Sequence, residues 1–353
     1  MPHVIACLLT LGLLPALSLA QSGASPFVPV DFSAWPAPPT EPEVFIERSA
    51  DGRSITLRSL SLFPAPQPTS PSPTPAPARL DPAAAAPSMS FAPRPVDLSE
   101  DALAVVIGNQ TYRHPDVPPV TFASRDANTM AHLLTEGWGL RPGNVLHQGA
   151  ATLADFQRLF GRPGDPSARL HNLIRPGETD LVLYYSGHGA PDVETGEAYL
   201  IPTDADPSLL RFTGYALSDL YQNLAALPFR RLIVVIDACF SGGAESGSLL
   251  RDMSVVRIKA KNPTWNDRRV MLFTAGDLDQ VATWYPDQRH SLFTYYWLQG
   301  VNGAADANGD GQLLLHEIKD YLLREVPYQA RRLKNRNQIP QVKGDPTQPL
   351  WGE

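Results

Sequence analysis

Four uninterrupted apolar runs constrain this chain more than any other feature. Residues 102–107 read ALAVVI, 180–185 DLVLYY, 231–236 RLIVVI and 269–274 RVMLFT. A strand wet on one face alternates apolar and polar residues. A continuous run fits a strand covered on both faces. Between the runs, residues 121–136, 152–160, 215–227, 292–301 and 313–326 read as helices, and 144–148 as a short strand. Thr152 and Asp155 give the 152–160 helix a capping-box start. Alternation of buried strands with helices predicts an α/β fold: a mostly parallel central sheet with helices on both faces.

The ends of two runs carry the chemistry. DLVLYY is followed by Ser186-Gly187-His188-Gly189, and RLIVVI by Asp237-Ala238-Cys239-Phe240-Ser241-Gly242-Gly243. His188 and Cys239 each lie three residues past their run. Parallel strands present their carboxyl ends along one edge, where ligands bind, so the two side chains should emerge together. A thiol beside an imidazole makes a cysteine nucleophile: the imidazole takes the thiol proton and later protonates a leaving amine. Backbone N–H groups in the glycine turns can stabilise an oxyanion.

Residues 4–20, VIACLLTLGLLPALSLA, are apolar and uncharged, with SLA before Gln21. They read as a signal peptide (1–20), too short and too broken by Pro15 to leave a stable membrane span after cleavage. Export to the periplasm or medium follows. Of two cysteines, Cys7 would leave with the signal and Cys239 would remain. Seventeen of the 36 prolines fall in 21–97. That region is expected to be an extended linker, with one possible hairpin around Asp51-Gly52. Residues 98–350 remain for one sizeable core. The net charge of −7 argues against nucleic acid as an obligate partner. There is no HExxH, no G-x-S-x-G, no Walker loop and no Rossmann glycine run, and nothing implies an organic cofactor.

YYSGHG at 184–189 and DACFSGG at 237–243 resemble the two catalytic motifs of caspase-like cysteine peptidases (peptidase C14), nearest the bacterial metacaspase-like, or orthocaspase, branch. ALAVVIGNQTY, ASRDANTMAHLL, YLIPTDA at 199–205 and LFTYYWLQG at 292–300 share the likeness, over about residues 100–345. The resemblance implies the caspase-like (caspase-hemoglobinase) fold, with Cys239 as nucleophile, His188 as general acid/base and the amides of Gly189 and Cys239 as the oxyanion hole. It also implies peptide substrates with Arg or Lys at P1, held by Asp126, Asp237 and Ser186. Asp126 draws attention without the family, because it falls inside the apolar stripe of its helix, and an acid there needs a partner or a task. Some metacaspases carry a second cysteine near the position of Ala123, and this chain does not. The segment after Gly243 bears Arg251, Arg257, Lys259 and Lys261. It suits self-cleavage after a basic residue or a plain solvated loop.

Residues 306–317, DANGDGQLLLHE, fit an EF-hand loop. Asp306, Asn308 and Asp310 supply side-chain oxygens, Gly311 the turn, Gln312 a backbone carbonyl and Glu317 two oxygens. Ca2+ is the expected ion. Two functions emerge: an exported cysteine endopeptidase, or a non-catalytic calcium-binding interaction module on the same fold. Oligomeric state is not legible.

Overall fold

The computed structural model describes residues 89–94, 96–192, 194–240, 267–277 and 280–352, together with the backbone of four short strands, 44–48, 55–59, 243–244 and 247–248. The signal-peptide expectation and most of the basic segment after Gly243 lie outside these residues. Contacts divide the chain at Asp81/Pro82 into two units. In the first, Val44–Arg48 pairs antiparallel with Ile55–Ser59.

The second unit is built on six strands: β1 (Leu103–Gly108), β2 (Val145–Gln148), β3 (Asp180–Ser186), β4 (Arg231–Asp237), β5 (Val270–Thr274) and β6 (Gln341–Lys343). Their order is β6-β5-β4-β3-β1-β2. All pairs are parallel except β5 with β6. Successive side chains point to opposite faces, and the apolar runs divide accordingly. Val106, Val182, Tyr184, Ile233, Val235, Met271 and Phe273 pack under α1 (Ala123–His132), α4 (Leu292–Gln299) and α5 (Leu315–Lys334). Val105, Ile107, Leu183, Tyr185, Val234, Ile236 and Leu272 pack under α2 (Leu153–Phe160) and α3 (Leu217–Ala225). This two-sided burial is why the interior positions of the runs are apolar whichever face they point to.

The α2 cap forms as expected. Asp155 N–H donates to Thr152 Oγ1 at 3.3 Å, and Thr152 N–H donates to Asp155 Oδ2 at 3.0 Å. Several elements differ from the sequence reading; Tyr215–Ala216, read as the start of the 215–227 helix, is a strand paired with Ala198–Leu200, and the helix is α3. The last helix continues past Val326 through Pro327 to Lys334. A proline removes one ladder hydrogen bond, but Val326, Pro327 and Ala330 are all buried, and that packing holds the helix together. It stops at Asn335, in the left-handed region at φ 50°. β6 has no signal of its own, because three half-buried residues are too few for a period.

Phe273 is fully buried on β5, with its ring edge-on to Trp297 of α4 at 5.9 Å. Phe273→Ala is expected to destabilise the domain by about 3–5 kcal/mol through lost burial and the cavity left behind. Urea unfolding monitored by fluorescence would measure it; a change below about 1 kcal/mol would mean the site collapses around the smaller side chain.

Candidate active site

The register of β3 against β4 sets the site. Tyr185 pairs with Ile236 and Ser186 with Asp237, so both chains leave the sheet at the same level. Gly189 allows them to stay close: a Cβ there would lie 2.8 Å from the Cys239 carbonyl oxygen and 2.7 Å from the Phe240 ring. His188 and Cys239 then line one cleft of about 30 Å³ with Val120, Ser186, Asp237, Trp284 and Ser291. That is room for about one water, so a substrate side chain must widen it.

The His188 backbone is pinned at both ends. Its N–H donates to Tyr112 Oη at 2.9 Å, and its carbonyl accepts from Tyr185 Oη at 2.7 Å. The ring is 5.0 Å from that of Tyr112, and its Nε2 lies 2.7 Å from the Pro118 carbonyl. A carbonyl only accepts, so Nε2 carries the proton and Nδ1 keeps a lone pair. Burial pushes His188 down to about 4, against the pull of the Pro118 carbonyl. The resting imidazole is therefore neutral at pH 7. The Cys239 sulfur accepts the Ala282 N–H at 2.7 Å.

The three expected pocket residues are brought to one neighbourhood, but not to one surface. Ser186 and Asp237 line the cleft, whereas Asp126 lies behind it, fully buried. Asp126 Oδ1 is 2.5 Å from His290 Nδ1, and its Oδ2 accepts the Ser291 N–H and hydroxyl at 3.2 and 2.8 Å. Asp237 Oδ2 accepts from the Thr294 hydroxyl at 2.6 Å and also lies within hydrogen-bond reach of Ser291 Oγ. Burial raises Asp126 above the usual carboxylate range, opposed by its bonds to His290 and Ser291. Asp237 is pushed up to about 6 by burial and then by the charge of Asp126.

Sequence reading missed Tyr112, the Pro118 carbonyl, Ala282, His290, Ser291 and Thr294. A backbone carbonyl or amide leaves no trace in side-chain identity. His290-Ser291 did have a signal, since it immediately precedes the LFTYYWLQG motif at 292–300.

The calcium-loop residues lie far along the chain, between α4 and α5. Asp306 accepts the N–H groups of Gly309 and Gly311 at 2.8 and 3.1 Å. Asn308 and Asp310 accept those of Asp310 and Gln312 at 2.9 and 2.8 Å. Gly311 has φ +78°, a conformation that favours glycine at the turn. Leu313, at the loop's eighth position, pairs with Trp351 near the C-terminus rather than with a second loop. Glu317 accepts the Leu314 N–H at 3.0 Å, at the start of α5. Among the described residues, no three His, Cys, Asp or Glu side chains converge as a metal cluster. Any ion would thus draw on Asn308 and on backbone carbonyls as well as carboxylates.

The caspase domain family matches residues 101–350. No curated protein matches. Among solved structures, caspase-1 from Spodoptera frugiperda aligns at 11% identity and TM-score 0.47, over 70% of this chain and 90% of its own. The pro-form of the Spodoptera caspase-1 aligns at 11% and 0.47, over 75% and 96%. A Geobacter sulfurreducens protein aligns at 18% and 0.44, over 69% and 94%. With its family match spanning most of the chain, this protein belongs to the caspase-domain cysteine peptidases of family C14.

Proposed function

We propose that this chain is an endopeptidase that cleaves after Arg or Lys through a Cys239 acyl-thioester. The supporting observation is that one cleft is lined by Cys239, His188, Ser186 and Asp237. The neutral His188 takes the thiol proton at Nδ1 while Nε2–H stays on Pro118. The thiolate attacks the scissile carbonyl, and the amides of Gly189 and Cys239 receive the oxyanion. His188 then protonates the leaving amine. Water, activated by the same imidazole, hydrolyses the thioester and restores the thiol.

Asp237, which lines the cleft, favours a cationic P1 side chain through charge-assisted hydrogen bonds, and the buried Asp126 behind it adds negative charge. Peptide amides fluorogenic on cleavage, with Arg, Lys or Asp at P1, test the reading. A preference for Arg and Lys over Asp of about 10- to 100-fold is expected. Turnover after Asp would keep the mechanism but remove the basic pocket. No turnover after any residue would favour a non-catalytic module.

Export after removal of residues 1–20 belongs to this proposal. It is tested by N-terminal sequencing of the mature protein, which should begin at Gln21. No helix among the described residues is long and apolar enough to cross a membrane.

Calcium belongs to it also, held by Asp306, Asn308, Asp310, the Gln312 carbonyl and Glu317. The ion would stiffen the α4–α5 connection and offset its clustered negative charge. Calcium at a hundred times its Kd is expected to stabilise the fold by about 2.7 kcal/mol, and Glu317→Gln to abolish the gain. Identical melting curves with calcium and with chelator would remove the ion from the proposal.

A further inference from the structure

Ser291 Oγ lies 2.8 Å from Asp126 Oδ2 and also within hydrogen-bond reach of Asp237 Oδ2. A serine hydroxyl has one proton and donates to one carboxylate only. Toward the other it presents lone pairs. That second contact is attractive only when the second carboxyl carries a proton of its own. The remaining donors are already assigned. The Ser291 N–H goes to Asp126, and the Thr294 N–H and hydroxyl go to Asp237 at 3.3 and 2.6 Å. Since the Thr294 proton is used there, Tyr184 Oη, 2.8 Å away, donates to Thr294 Oγ1. His290 Nδ1 donates to Asp126, and its Nε2 is buried with no partner among the described residues.

Other titratable or charged groups stand around the pair. They are Tyr184 on β3, His188 and Cys239 at the cleft, Arg125 beside Asp126 on α1, Arg289 in the turn before His290, and Tyr295 on α4. Among the described residues, neither carboxylate forms an ion pair with Lys or Arg. Asp126 has the His290 ring at 2.5 Å, and two adjacent buried carboxylates without a Lys or Arg partner hold a proton between them more firmly than either would alone.

We propose that Asp126, Ser291 and Asp237 form a proton-sharing specificity element: the empty pocket keeps one proton on the pair, and a cationic P1 side chain displaces it to solvent. This rests on the peptidase reading of the site. His290 is a positioning residue that fixes the Asp126 carboxyl against Ser291. The exchange balances: one carboxyl O–H proton leaves as the guanidinium or ammonium enters, and no covalent bond to the substrate changes. The upward shifts of both carboxyls have the sign this requires. The pocket is then selective by charge exchange, and its preference for cations weakens in acid.

The test uses two reversible peptide aldehydes identical except at P1, one with arginine and one with its neutral isostere citrulline. Protonation of His188 or of the thiol affects both equally, so the ratio of their inhibition constants isolates the pocket. In the wild type, the advantage of arginine is expected to grow about tenfold per pH unit up to about pH 6 and then level off. In Asp126→Asn, and independently in Asp237→Asn, one carboxyl is gone and the slope should vanish. His290→Gln is expected to reduce the arginine advantage while leaving citrulline inhibition within about twofold of wild type. Difference infrared spectra of wild type against Asp237→Asn give a readout independent of binding: the wild type should show a protonated carboxyl at pH 5.5. A flat ratio with both aldehydes binding would overturn proton sharing and leave the peptidase intact, as would a slope that survives in both Asn variants. Binding of neither aldehyde would end the peptidase reading and this element with it.

Discussion

Cys239→Ala is expected to lower kcat by at least about 10⁴-fold while leaving the melting temperature within a few degrees of wild type. The mechanism has no other nucleophile: without the sulfur no thioester forms, and the remaining amides and pocket only bind. The effect on folding is small because the side chain is only partly buried and makes way for a smaller one. Single-turnover assays with a basic-P1 peptide would measure it. Residual hydrolysis above about one per cent of wild type would move the chemistry away from Cys239.

His188→Ala is expected to cost about 10²–10⁴-fold in kcat, the usual range for a lost general acid/base. The wild-type pH profile is the more discriminating measurement. The imidazole must be neutral to take the thiol proton, and burial holds its pKa at about 4. With a neutral P1 substrate, kcat/KM should therefore stay level down to about pH 4, instead of falling near 6.5 as an exposed histidine would require. With a P1 arginine substrate, the fall should begin near pH 6, set by Asp237. An acid limb at 6.5 with both substrates would show that His188 is solvated in the working enzyme.

Stability carries the same signature. The folded-state pKa of His188 is depressed, so its contribution is fully present above about 6.5 and lost as pH falls through about 4. That of Asp237 is raised, so its contribution is present below about 3.8 and lost as pH rises through about 6. Between about pH 4 and about 6 these two groups act in opposite directions, and their slopes cancel. Removing His188 should expose the Asp237 slope, with stability of the variant falling as pH rises across that window. Urea midpoints at three pH values would detect it.

Much of this protein is legible in its residues. Strands buried on both faces must be apolar throughout, so β1, β3, β4 and β5 appear as runs. Parallel strands must end together, so a histidine and a cysteine placed alike after two runs are legible as a pair. Asp126 stands out because its helix buries that face. Less visible is whatever depends on chain segments meeting from far apart. The carbonyl that fixes the His188 tautomer belongs to Pro118, seventy positions earlier. The partner of Asp126 is His290, 164 positions later. Neither distance has a period or a motif.

The sequence alone determined the layered α/β architecture and the sheet edge at which His188 and Cys239 come together. These follow from local burial patterns and strand polarity, which each segment carries within itself. Tertiary structure decided the protonation of the site. It buried the imidazole to keep it neutral, aimed Pro118 to choose its tautomer, and set one serine hydroxyl between two carboxyls. Those are differences in solvation and in hydrogen-bond count, and they arise only when segments distant in the chain share a dry interior.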